Sequence, residues 1–207
     1  MPRILLPTFL RNSCCDSIEK ANRLGRYAEP SKDGHDHYWS LKEGAKRLCL
    51  EGQSFDEACE VFANMTDQTA IGSNKAALFR MYQWRLKNKG TYFQPPSGVI
   101  GGPQGQLSIK LEPEFGFLQG GKRKVIQIWT SRSVSLPPSV AGMGVLALEL
   151  GLKKDEWSDC EFYILNLDSG KKFGPKSITS SADIAFTAEL AAQEAMYVER
   201  LKKKKSA

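Results

Sequence analysis

Between residues 106 and 130, hydrophobic and polar positions alternate in two runs that are separated by Gly120 and Gly121. A period of two is typical of strands with one buried face and one wet face. The first run covers residues 106–118 and the second covers residues 123–130. Paired glycines readily adopt the positive φ angles that a two-residue hairpin turn requires. The pattern therefore predicts two antiparallel strands joined by a tight turn.

Helical periodicity dominates the chain before this hairpin. Apolar residues recur every three or four positions, with polar caps before them and glycines after them. The predicted helices are residues 14–24, 41–50, 55–65 and 74–87.

After the hairpin, residues 139–152 form an apolar helical pattern with almost no charge, which indicates a helix buried against the sheet. A strand with two apolar faces follows at 160–168, then a short strand near Phe173 and a final helix from Ser181. This order predicts an α/β (α+β) fold, in which an N-terminal helical segment precedes a small mixed sheet flanked by helices.

Composition suggests four regions along the chain. Residues 91–105 contain three prolines and four glycines, which indicates a linker or a long surface loop. We therefore expect a helical region at 1–90, a Pro/Gly-rich linker at 91–105, a mixed α/β domain at 106–201 and a basic tail at 202–207.

Charge, hydrophobicity and cysteine content predict the compartment of the protein and the state of its thiols. The net charge is +6, and the lysines at 202–205 contribute four of those charges. No stretch approaches the roughly 18 consecutive apolar residues of a membrane span, so we expect a soluble cytoplasmic protein with no membrane partner. The five cysteines are odd in number and include no CxxC spacing, which predicts reduced thiols rather than a disulfide framework or a zinc site.

His35 and His37 lie among aspartates in a segment rich in turn residues. Imidazole and carboxylate groups are proper metal ligands, but alternate residues reach one metal only on an extended segment and need further ligands from elsewhere. We interpret the segment as a polar loop.

Three stretches together resemble the restriction-endonuclease-like PD-(D/E)XK superfamily. They are residues 113–117, 125–129 and 162–173, and the resemblance covers roughly residues 106–173. In that family an acidic residue on one strand and an acid-x-lysine motif on the next hold a divalent metal ion, which activates water for phosphodiester hydrolysis.

The resemblance implies roles for particular residues. Glu114 takes the position of the first acid, with Glu112 as the alternative in phase with it, so both are candidate ligands for Mg²⁺. If Gln127 takes the position of the second acid, Trp129 stands where the lysine belongs. Lys124, or else Lys122, is then the candidate to supply the lysine. If Gln127 instead takes the position of the lysine, Val125 stands where the second acid belongs, and Glu43 or Asp168 could add a carboxylate.

Nucleic-acid contacts would come from basic residues near the two turns of the mixed domain. The candidates are Lys122, Arg123, Lys171 and Lys172. We expect Glu114 and Gln127 to lie side by side on adjacent strands.

The incomplete motif favours a degenerate, non-catalytic nuclease-like domain that binds DNA, RNA or a partner associated with nucleic acid. An active nuclease that uses Mg²⁺ is one alternative. The other is a structural or adaptor protein that uses the aromatic helix at 74–87 or the basic tail, and a protein partner or a homodimer stays open. A serine or cysteine hydrolase is disfavoured because there is no GxSxG and the only two histidines lie together.

Overall fold

The computed structural model describes residues 2–28, 39–131 and 134–205 of the 207-residue chain. The strands in these ranges are β1 (Arg3–Leu5), β2 (Thr91–Phe93), β3 (Gly98–Gly101), β4 (Ser108–Leu111), β5 (Phe115–Gln119), β6 (Lys122–Trp129), β7 (Glu161–Asn166) and β8 (Lys172–Phe173). The helices are α1 (Leu6–Ser13), α2 (Ser17–Ala28), α3 (Trp39–Cys49), α4 (Phe55–Cys59), α5 (Gln68–Lys87), α6 (Pro138–Leu152) and α7 (Ala182–Lys205).

The strands form two mixed sheets. A three-stranded sheet has the order β1-β4-β3, with β1 parallel and β3 antiparallel to β4. A five-stranded sheet has the order β2-β5-β6-β7-β8, in which only β6 and β7 run parallel and are connected through α6. The mixed α/β class expected from the pattern is therefore confirmed.

The two faces of the five-stranded sheet bury two separate hydrophobic clusters. Val125 and Trp129 belong to the first cluster, together with residues of α1, α6, α7 and the three-stranded sheet. Ile126 and Ile128 belong to the second cluster, together with residues of α3, α4 and α5. Because neighbouring residues of β6 enter opposite clusters, this strand lies in the middle of the molecule.

Helix α6 is buried on most of its surface, as its uncharged pattern predicts. It packs against β7 on one side and against β3 and β4 on another, so it lies between the two sheets. Gly144 permits this close packing, because a Cβ there would lie 2.4 Å from Ile164 Cδ1 and 2.7 Å from Leu10 Cδ1.

The predicted hairpin turn is confirmed, but its first strand is divided. Gly120 and Gly121 have φ angles of 59° and 75°, and β5 pairs antiparallel with β6 across them. Residues 106–118 were expected to form one strand, whereas β4 belongs to the three-stranded sheet and β5 to the five-stranded sheet. The chain changes sheets at Glu112 and Pro113, where proline lacks the N–H that a continuous ladder would use.

The composition of residues 91–105 predicted a linker or a long surface loop, but the structure shows more than that. It contains β2 and β3, which pair with β5 and β4 respectively. Both are edge strands, and edge strands tolerate the glycines and nearby prolines that suggested a loop. The N-terminal helices also pack onto residues of the mixed region, since Leu10 and Leu24 share a cluster with Leu190.

Helix α7 fastens the N-terminal helix and the loop before β4 through two buried side chains. Glu194 accepts hydrogen bonds from the backbone N–H groups of Gln104, Gln106 and Leu107 at 2.7, 2.6 and 3.0 Å. Gln193 donates to the carbonyl of Phe9 at 3.1 Å and accepts from the side chain of Asn12 at 3.1 Å. The helix continues to Lys205, so the first four residues of the expected tail are helical.

The expectations about the cysteines and about membrane-spanning segments can be compared with the described residues. All five cysteines are free thiols in the structure. Within residues 2–28, 39–131 and 134–205, no helix combines the length and the apolar character needed to cross a membrane.

Candidate functional site

The residues that carry the family resemblance meet at the start of β5. Glu114 precedes β5, and its backbone N–H donates to the carbonyl of Ile126 at 3.0 Å, which brings its side chain next to Gln127 on β6. The amide Nε2 of Gln127 donates to both carboxylate oxygens of Glu114 at 3.0 and 2.9 Å, and the N–H of Ile128 donates to Oε2 at 2.6 Å. The expectation that Glu114 and Gln127 lie side by side is confirmed.

Glu114 and Gln127 are both buried, each with 2% of its surface exposed. A buried carboxylate is costly unless hydrogen bonds compensate for the lost water, and these donors provide them. Because the Gln127 side chain is a neutral amide, this site lacks the second negative charge that a second acid would provide.

Three buried polar atoms without hydrogen-bond partners lie on alternate residues, beginning at Gln127 on β6 and ending just after the strand. Gln127 Oε1, Trp129 Nε1 and Ser131 Oγ are buried and have no hydrogen-bond partner. Trp129 is 1% exposed and belongs to the first hydrophobic cluster. An indole packed in the core therefore occupies position 129, which the resemblance would give to the lysine if Gln127 took the place of the second acid.

The metal site suggested by Glu112 and Glu114 is incomplete. Glu112 lies at the point where the chain leaves the three-stranded sheet, and its carboxylate pairs with Lys110 at 2.6 Å. It is half-buried and separated from Glu114 by the change of sheet, so the two acids do not share one strand face as expected. Across the described ranges, no group of three or more histidine, cysteine, aspartate or glutamate residues is arranged to hold a metal ion. The His35 and His37 segment lies outside the described residues.

Lys124 does not join the Glu114–Gln127 pair, so its expected role as the catalytic lysine is wrong. Positions 124 and 127 point to opposite faces of β6, because side chains alternate along a strand. Lys124 Nζ donates to Gln119 Oε1 at 3.0 Å and lies 5.8 Å from the centre of the Phe117 ring.

The four predicted nucleic-acid contacts do not form one surface. Lys122 pairs with Glu161 at 2.8 Å on the face of the second cluster. Arg123 points to the other face, where it pairs with Asp159 and lies 5.2 Å from the Trp157 ring.

The other two predicted contacts lie at the β8 edge of the sheet, two strands away from β6. Lys171 lies 4.9 Å from the ring of Phe173, on the side of the first cluster. Lys172 lies 4.4 Å from the ring of Tyr163, and its strand partner Leu165 belongs to the second cluster. Alternation along the strands therefore assigns Lys122 and Lys172 to one face and Arg123 and Lys171 to the other.

Lys122, Lys124 and Lys172 instead share one face of the five-stranded sheet, a set that the sequence reasoning missed. The parity of positions 122 and 124 in β6 was visible in the sequence. The third member was not, because its place depends on the pairing of Lys172 with Leu165 across β7 and β8.

The titrating groups of this face influence one another. The hydrogen bond from Lys122 lowers the pKa of Glu161, and the Tyr163 hydroxyl adds to the effect. Burial and the hydrogen bond to Glu161 raise the pKa of Tyr163 to about 12. Burial and the neighbouring charge of Lys124 lower the pKa of Lys172.

The aromatic helix, α5, has its rings on different sides, as its sequence suggested. Trp84 packs into the second cluster, 5.6 Å from Phe115 and 5.4 Å from Phe117 between ring centres. Phe79 is 45% exposed and contacts Phe55, with 5.5 Å between ring centres. Phe79 is therefore the exposed ring of α5, while Trp84 supports the core.

Comparisons with known proteins do not assign a family. No protein-family model matches the sequence, and no curated protein matches it. The chain is similar to a solved structure described as "Crystal structure of SSO0001", with 16% identity over 85% of this chain and 83% of that chain. The TM-score is 0.36, which is too low to support an argument about fold or function.

Proposed function

We propose that the protein is a nuclease-like domain that has no catalytic activity and binds nucleic acid. The observation that carries the absence of catalysis is the pairing of Glu114 with Gln127, in which a neutral amide stands beside the buried carboxylate. On this proposal, Glu114 and Gln127 correspond to the two acids of the nuclease motif but do not supply its chemistry.

The donors around Glu114 argue against metal-assisted hydrolysis. Mg²⁺ is held by oxygen ligands, usually with one or two carboxylates, and it needs room for several bound waters. Both oxygens of Glu114 already accept N–H donors, and Gln127 turns its N–H₂ group rather than its oxygen toward them. Trp129 cannot supply the positive charge with which a lysine would stabilise hydroxide or the developing charge.

The second half of the proposal depends on charge. The chain carries a net charge of +6, and Lys122, Lys124 and Lys172 share one face of the five-stranded sheet. Lysines that neutralise phosphates release bound counterions, so binding of this kind is strongly dependent on salt concentration.

The decisive experiment measures cleavage and binding together. Labelled single-stranded and duplex DNA and RNA are incubated with the wild type and with Glu114→Gln, with Mg²⁺, with Mn²⁺ and without metal. We expect no cleavage by either protein, and binding by both that weakens as salt concentration rises. Glu114→Gln preserves the size of the side chain, which makes it the matched control for a contaminating nuclease.

Two outcomes would contradict the proposal. Metal-dependent cleavage by the wild type that Glu114→Gln abolishes would make the protein an active nuclease. Absence of binding to every nucleic acid would remove the second half and favour an adaptor, whose contact surface would then be sought around Phe79.

A further inference from the structure

One side of α5 exposes apolar side chains to solvent. Phe79 and Leu86 are 45% and 55% exposed, and the half-buried Tyr82 lies between them along the helix. Spacings of three and four residues place these side chains next to one another. Phe55 at the start of α4 joins them, with its ring centre 5.5 Å from that of Phe79 and 5.6 Å from that of Tyr82. We call Phe55, Phe79, Tyr82 and Leu86 the apolar strip.

Acidic residues border the apolar strip on the side of α4. Asp56, Glu57 and Glu60 are exposed, and residues 55–65 contain no lysine or arginine. Glu57 is engaged in capping the start of α4, whereas Asp56 and Glu60 form no ion pair with any described residue. Lys75, one turn before Phe79 on α5, offsets one of the three negative charges. This border of the strip therefore keeps a negative excess.

The opposite border of the strip is basic. Since each residue of a helix turns the chain by about 100°, Lys87 lies about 80° to one side of Phe79 and Arg85 about 120° to the other. Arg85 donates to the carbonyl of Gln53, just before α4, at 3.3 Å, so α4 lies on the Arg85 side. Lys87 is exposed on the far side, and among the described residues it forms no ion pair. Helix α5 contains four basic residues and no acidic residue.

We propose that two copies of this chain associate through their apolar strips. In a two-fold dimer the same surface of each copy forms the contact, so that surface has to complement itself. A two-fold axis parallel to α5 sets the acidic border of each strip against the basic border of the other, while the strips bury one another. Nucleic acid fits the strip less well, because its phosphates would be repelled by Asp56 and Glu60. The inference goes beyond the proposed function and does not depend on it.

The strength of association is measured by sedimentation velocity over a range of protein concentrations. A contact centred on four apolar side chains is small, and interfaces below about 1,200 Å² are typical of weak or transient complexes. We therefore expect the wild type to pass from monomer to dimer as its concentration rises. The dimer should weaken as salt concentration rises, because exposed charges are screened.

The apolar contribution is tested with two double variants. Phe79→Ser with Leu86→Ser should raise the dissociation constant of the dimer by about tenfold or more. Val99→Ser with Ile184→Ser is the matched control, because these two side chains are 48% and 73% exposed on β3 and α7. We expect the control to associate like the wild type. Thermal unfolding of each variant checks that the fold is intact.

The charges test whether the occupant is a second copy. Asp56→Lys with Glu60→Lys makes both borders basic, and Gln83→Glu with Lys87→Glu makes both borders acidic. Each variant alone should associate more weakly than the wild type, because like charges then face each other. An equimolar mixture of the two should form heterodimers, because opposite charges face each other again.

Attraction between any two oppositely charged proteins is the alternative explanation for such heterodimers. Lys154→Glu with Lys176→Glu controls for it, because these exposed lysines lie outside α4 and α5. Mixed with the basic variant, this control should form no heterodimer.

Three results would overturn the inference. The first is a wild type that stays monomeric at every concentration, and the second is a strip variant that associates like the wild type. The third is a control mixture that associates as strongly as the charge-reversal mixture. If the monomeric wild type binds a labelled single-stranded oligonucleotide and Phe79→Ser with Leu86→Ser abolishes that binding, the strip is instead a surface on which bases stack.

Discussion

At the scale of single residues, the chemistry of Glu114 depends on its neighbours more than on its own carboxylate. The sequence identified the pair correctly, because Glu114 and Gln127 follow from the Pro-Glu motif and the hairpin register. It could not show that the carboxylate is buried and that N–H donors occupy both oxygens. Lys124 was misassigned although the alternation of β6 already placed it on the other face.

The hydrogen bonds of Glu114 predict a large difference between two substitutions. Glu114→Ala leaves the Gln127 amide and the Ile128 N–H buried without an acceptor, at about 1–3 kcal/mol each. We expect it to lower the free energy of unfolding by about 3 kcal/mol in urea denaturation. Glu114→Gln should lose only about 1 kcal/mol, because its carbonyl can still accept from Ile128 and its amide can donate to Gln127 Oε1.

The comparison also bears on function. Functional carboxylates are often held at a cost to stability, so their removal leaves a protein as stable as before or more stable. Equal midpoints for the wild type and Glu114→Ala would therefore contradict a structural role and would favour a site kept for chemistry.

At the scale of elements, local sequence signals and tertiary pairing determine different parts of the sheet. The turn between β5 and β6 was predicted because two glycines leave few other conformations that suit a hairpin. Strands β2 and β3 were missed because they have three and four residues and lie at sheet edges. Segments this short carry no periodicity of their own, and their partners in β5 and β4 decide their structure.

The two glycines of the turn should differ in their tolerance of substitution. A Cβ at either position meets no atom within 4 Å, so any cost is conformational. Gly121→Ala places alanine at a φ of 75° and should destabilise the protein by about 1–2 kcal/mol. Gly120→Asn should be nearly neutral, since Asn-Gly is a preferred pair for a turn with two positive φ angles.

Chemical denaturation of the two variants beside the wild type measures this difference. Equal losses for both would mean that the turn does not keep its two positive φ angles in solution. A loss confined to Gly120→Asn would reverse the assignment of the two turn positions.

At the scale of the whole molecule, the five-stranded sheet separates two hydrophobic clusters and contributes residues to both. The helices before residue 90 cover both faces of a sheet built mainly from residues after 105. Contacts such as that between Asn12 and Gln193 join residues 181 positions apart. No local pattern in the sequence encodes such a contact, so composition suggested a boundary at 91–105 where the structure has two paired strands.

This shared sheet predicts that the chain unfolds as one cooperative unit. Trp129 reports on the first cluster and Trp84 contacts the second, so fluorescence and far-ultraviolet circular dichroism should give coincident midpoints in urea. A fragment covering 106–201 would expose the face of β6 that α3, α4 and α5 cover and would lose β1, β2 and β3, so we expect it to give a poorly dispersed NMR spectrum. Separate transitions, or a folded fragment, would instead establish the two regions as independent domains. The coincident result would mean that the N-terminal helices are part of the fold on which the Glu114–Gln127 pair depends.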